Sequence, residues 1–81
     1  MMKALIYVTL KDGVLDPQGA AITNSLSQKG INNVSEIRQG KYFEVNLDTD
    51  NEPDANNLVD KICQDLLVNT VLENYSFKLV A

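Results

Sequence analysis

The chain contains no histidine, so it lacks both the commonest general base and the commonest protein metal ligand. Its single cysteine, Cys63, can form no internal disulfide and cannot build a thiolate zinc site. No apolar run approaches the roughly 20 residues that cross a bilayer, and Met1 to Leu10 lacks the apolar core and cleavage site of a secretory signal. A cytoplasmic protein is the expectation. Also missing are a Gly-rich phosphate loop, any low-complexity tract and any linker that would divide the chain. Seven basic residues stand against eleven acidic ones, a formal charge of −4, so neither nucleic acid nor an anionic membrane is an expected partner.

What is present suits one small domain over residues 1–81. A core of this size buries only about 60 to 65% of the unfolded surface, so support from a partner or a second copy is expected. Lys3 to Lys11 reads as a strand with Ala4, Ile6, Val8 and Leu10 on one face. Asp12-Gly13 turns the chain. Asp16 is then a good N-cap and Pro17 a good first helical residue, for a helix that Lys29-Gly30 ends. Gly19 in the first turn costs roughly 1 kcal/mol relative to alanine, which points to close packing or to a partner.

Val34 to Arg38 and Lys41 to Asp48 are predicted as two strands of a hairpin broken by Gln39-Gly40. From Asp54 to Leu67 the positions Ala55, Leu58, Val59, Ile62 and Leu66 follow helical spacing, with Cys63 and Leu67 broadening the stripe. Asn69 is read as a left-handed cap, and Tyr75, Phe77 and Leu79 share one face of a last strand. The order βαββαβ, with an antiparallel sheet and two helices on one face, predicts a ferredoxin-like α+β sandwich.

Two helices cover one side of such a sheet. The other side is expected to carry Leu5, Tyr7, Thr9, Tyr42, Glu44, Asn46, Glu36, Arg38, Lys78 and Val80, four of the ten apolar or aromatic, and protein is the expected cover. Tyr7 and Tyr42 occupy strands that carry aromatics in RNA-recognition motifs, but Glu36, Glu44 and the acidic balance oppose phosphate. Arg38, Lys41 and Glu44 form a charged group around the hairpin, either a cross-strand pair worth about 0.2 to 1 kcal/mol or a rim that selects a partner. Asp48, Asp50, Glu52 and Asp54 alternate like the start of a calcium loop, but Pro53 and Val59 occupy the glycine and glutamate positions, so no metal is expected. Cys63, among Val59, Ile62 and Leu66, is read as a packing residue.

Four ordered segments carry a resemblance across essentially the whole chain: Val8-Thr9-Leu10-Lys11; Val14 to Gly19; Arg38-Gln39-Gly40-Lys41 with Glu44; and Leu66-Leu67 with Asn69-Thr70-Val71 to Tyr75. They closely resemble the PurS family, the small subunit of bacterial and archaeal phosphoribosylformylglycinamidine synthase. The resemblance implies a ferredoxin-like homo-oligomer, dimer or tetramer, that joins a glutaminase, PurQ, to a synthetase, PurL, and assists ammonia transfer to formylglycinamide ribonucleotide. It implies no catalytic residue and no cofactor on this chain, with ATP and Mg used by the synthetase. Contacts with partners or other copies are then expected at Tyr7, Asp16, Pro17, Gly19, Arg38, Gly40, Lys41, Tyr42, Glu44 and Asn69. The alternative on the same fold is a stand-alone small-molecule-binding module of ACT-like type; the anion loop of an acylphosphatase is absent.

Overall fold

A computed structural model describes all 81 residues. Strand β1 (Met2–Leu10) is the centre of a three-stranded antiparallel sheet, with β2 (Lys41–Leu47) on one side and β3 (Glu73–Val80) on the other. Register follows the alternation of the sequence. Ile6 stands opposite Phe43 and Phe77 on the inner face, while Tyr7 stands opposite Tyr42 and Ser76 on the outer face.

Helix α2 (Glu52–Ile62) covers the inner face. Asn51 caps it through a bond from the Asp54 amide, and Glu52 and Asp54 sit in its first turn, where the helix dipole favours negative charge. Its Ala55 and Val59 join Ala4, Ile6, Val8, Leu47, Cys63 and Val68 in the core. The Tyr75 hydroxyl donates to Asp60, and Gln64 donates to both, tying β3 to the helix.

The predicted long helix instead widens into a π turn (Cys63–Leu67), closed by a bond from the Val68 amide to the Cys63 carbonyl. The wide turn inserts a residue and rotates the positions beyond it, so Val68 is buried and Leu66 faces solvent at 80% exposure. Asn69 is not left-handed; its carboxamide and carbonyl accept from Val71, Leu72 and Glu73 in a turn that starts β3.

Helix α1 (Pro17–Gln28) begins as predicted, with Asp16 accepting from the Gly19 amide, and Gly30 follows it at φ 74°. Yet only Gly19 of α1 is buried, and no residue of α1 belongs to the core. The predicted strand Val34–Arg38 is likewise absent from the sheet. Its Ile37 amide donates to Thr23 Oγ1 and its neighbour Gln39 donates to Asp16, so the segment lies along α1 instead of along β2. Side-chain acceptors on α1 satisfy amides that a ladder would otherwise hold.

Residues 12–40 therefore form an arm that stands off the sheet. The chain measures 49 × 26 × 15 Å, and its radius of gyration of 16.3 Å exceeds the roughly 12 Å of a compact domain of this length. The antiparallel sheet and the two helices are those of the predicted α+β class; within this chain neither the first helix nor the segment 34–38 docks on the sheet.

Candidate functional site

The arm meets the sheet at one end, and a cleft of about 460 Å³ opens there. Asp16, Pro17, Gly40 and Lys41, four of the expected contact residues, line it together with Leu15, Gln18 and Gln39. Asp16 organises this place. One carboxylate oxygen accepts from the Gly19 amide at 2.9 Å and the other from the Gln39 amide at 2.7 Å, joining the start of α1 to the end of the returning segment. The Gln39 amide foremost, then that of Gly19, with help from the Arg38 charge, holds the Asp16 carboxyl below the usual carboxylate range.

Gly19 is explained by packing. A Cβ there would overlap the Ile37 carbonyl oxygen and the Asp16 carboxylate, so the close approach of the two arm segments needs a bare backbone. Thr23 extends the joint by donating to the Gly19 carbonyl at 2.8 Å while accepting from Ile37 at 2.9 Å. Gly40 is also constrained by contact, since a Cβ there would overlap the Val8 carbonyl oxygen.

The charged group expected around a hairpin does not assemble. Arg38 donates to the Lys11 and Val14 carbonyls at 3.4 and 3.2 Å, bracing the arm against the end of β1. Lys41 pairs with Glu73 at 3.3 Å, and Glu44 accepts from the Tyr42 hydroxyl at 3.3 Å. With no hairpin at 34–48, Arg38 and Glu44 have no shared ladder to pin. The other oxygen of Glu73 accepts from the Asn69 amide, and that bond first, with Lys41 second, lowers its carboxyl below the usual range.

Tyr7 and Tyr42 lie on the opposite, open face of the sheet, their rings 5.2 Å apart at 37° and about half exposed. Glu36 and Arg38, expected on that face, belong to the arm instead. The acidic alternation of Asp48, Asp50, Glu52 and Asp54 does not converge, and no three acidic or thiol side chains gather anywhere in the chain. Sequence reasoning missed Glu73, Thr23 and Gln39. The first is legible only from strand register, and the other two only from the path of the arm.

An antiparallel sheet with two helices, in the order βαββαβ once the segment 34–38 is counted, defines a ferredoxin-like α+β protein whose polar side chains hold backbone segments together. Comparison with known proteins narrows this. The PurS family model, described as phosphoribosylformylglycinamidine (FGAM) synthase, matches residues 3–81. The chain is 47% identical over 76 residues to the PurS subunit of phosphoribosylformylglycinamidine synthase from Synechocystis, covering 94% of this chain and 76% of the relative. It is 40% identical to that of Bacillus subtilis over 79 residues, 98% of this chain and 93% of the relative. A chain in the structure of PurLQS from Thermotoga maritima superposes with a TM-score of 0.86 at 28% identity, covering 99% of both chains. The chain belongs to the PurS family.

Proposed function

We propose that this chain is the small, non-catalytic subunit of a phosphoribosylformylglycinamidine synthase. It self-associates and joins a PurQ-type glutaminase to a PurL-type synthetase, which uses ATP and Mg. The full-length likeness to a chain of a PurLQS structure carries this reading. The surfaces offered to partners are the arm root around Asp16, Pro17, Arg38, Gly40 and Lys41, where the buried Gly19 lets the two arm segments approach, the open face with Tyr7, Tyr42 and Glu44, and the turn at Asn69. A cytoplasmic setting fits one unpaired thiol and the absence of any helix long and apolar enough to cross a membrane.

The physical role of such a subunit is proximity. Free ammonia is mostly protonated at neutral pH and diffuses away, so holding two active sites together raises its local concentration without new chemistry. The test is reconstitution with PurL and PurQ subunits and measurement of glutamine-dependent amidine formation. The expected result is loss of that rate when this chain is omitted, with the rate from added ammonium salt retained. An unchanged glutamine-dependent rate overturns the reading.

A further inference from the structure

The cleft at the arm root holds more hydrogen-bonding capacity than the fold uses. Its volume of about 460 Å³ lies in the lower half of the range of small-molecule sites, so it suits a ligand smaller than a drug. Four parts of the chain converge on it: Gln18 of α1, Gln39 of the returning segment, Lys41 of β2 and Glu73 of β3. The Gln39 side-chain amide donates to the Gln18 carboxamide oxygen at 2.6 Å, which leaves the amino group of Gln18 and the carbonyl of Gln39 unspent. Lys41 is 59% exposed and pairs only with Glu73, so the rest of its N–H donors are free. The Asp16 and Glu73 carboxylates each accept one bond at each oxygen, and every one of those oxygens keeps a second lone pair. Leu10, Leu15 and Pro17 supply an apolar wall.

Charge selects among ligands. Backbone amides hold both Asp16 and Glu73 in the ionised form, so with Lys41 the cleft carries more negative than positive charge. A lone anion meets that excess of carboxylate, and a lone cation leaves the exposed Lys41 without a counter-charge. A zwitterion satisfies both. A further charge on its side chain would be desolvated against the apolar wall with nothing there to offset the cost.

We propose that the cleft binds a free α-amino acid with an uncharged side chain. Its carboxylate takes the free donors of Lys41 and Gln18, its ammonium takes the open lone pairs of Asp16, Glu73 and the Gln39 carbonyl, and its side chain lies on Leu10, Leu15 and Pro17. Gln18 and Gln39 belong to the arm, while Lys41 and Glu73 belong to the sheet. The bound amino acid therefore ties arm to sheet and fixes the angle at which the arm stands off. This site goes beyond the subunit role proposed above and requires neither larger subunit.

The test is a titration of the full isotope-labelled chain with L-leucine and with L-glutamine, followed through the backbone amides by NMR. For ligands of roughly ten non-hydrogen atoms a Kd on the order of 0.1 to 1 mM is expected, with saturable shifts at Gln18, Gln39, Lys41 and Glu73 that share one constant. Binding of either amino acid supports the site, and the preference between them defines its side chain. Leucinamide, which lacks the carboxylate, and N-acetyl-leucine, which lacks the ammonium, should bind at least about tenfold more weakly than leucine. Lys41→Met should weaken binding about tenfold or more and Gln18→Leu about fivefold. Should Lys41→Met disturb β2 through loss of the Glu73 pair, the parent chain with the two blocked leucines decides alone. The absence of saturable shifts up to about 10 mM of both amino acids overturns the proposal. So do shifts confined to residues outside the cleft, and so does equal binding of the blocked leucines.

Discussion

Gly19 shows how two opposed effects at one residue are weighed. Alanine would improve the helix by roughly 1 kcal/mol, but its methyl would overlap the Ile37 carbonyl oxygen, a backbone atom that cannot swing aside. Overlap of this kind costs about 1 to 3 kcal/mol, so Gly19→Ala should be net destabilising, read as a lower urea midpoint. A midpoint at or above that of the parent would show that the segment does not lie against α1. Asp16 predicts a pH dependence. Its carboxyl is depressed in the folded state relative to an ordinary value of 3.8, so the native state favours the ionised form. The stability this contributes is present above 3.8 and is lost as pH falls through the lower folded value. Asp16→Asn should remove that part of the acid-induced fall in melting temperature. An Asp16 carboxyl titrating by NMR at or above 3.8 would contradict the two amide bonds.

The elements divide into those held by the core and those held only by one another. Ile6 is fully buried between α2 and the flanking strands, and Ile6→Ala should cost about 2 to 5 kcal/mol at any protein concentration. Ile22 touches no core residue of its own chain. Ile22→Asp should leave the helix content of the lone chain unchanged yet weaken self-association at least tenfold, measured by sedimentation equilibrium or dilution light scattering. Equal association of parent and variant would place the contact elsewhere. The π turn belongs to this scale as well. Periodicity correctly placed Ala55 and Val59 inside, and it failed at Leu66 because one inserted residue changes the face of every later position.

For the whole molecule, nine buried residues out of 81 make a small core, and much of the chain lies in an arm that contributes only Gly19 to the buried set. With the self-association proposed above, part of the stability comes from the contact between copies, so the melting temperature should rise with protein concentration. A melting temperature independent of concentration over two orders of magnitude, in a chain shown to be dimeric, would mean that association adds little to the fold. The Tyr7–Tyr42 pair lies on the open face, on the side of the sheet opposite the core that α2 covers.

Local order was legible from residues alone. The Asp16-Pro17 start of α1, the end at Gly30, the alternation of β1 and β2 and the apolar stripe of α2 depend on neighbours within a turn or a strand, and their chemistry is written in consecutive letters. So was the family, whose marks lie in four short runs spread over the length of the chain. The path of the arm was not legible. Whether Val34 to Arg38 folds back on β2 or runs along α1 depends on Asp16 reaching Gln39 and on Gly19 admitting Ile37, contacts between residues far apart in the chain that no periodicity encodes. The same amphipathic pattern serves a helix that packs on its own sheet and one that packs on another, because burial is non-directional and does not distinguish which copy supplies the surface.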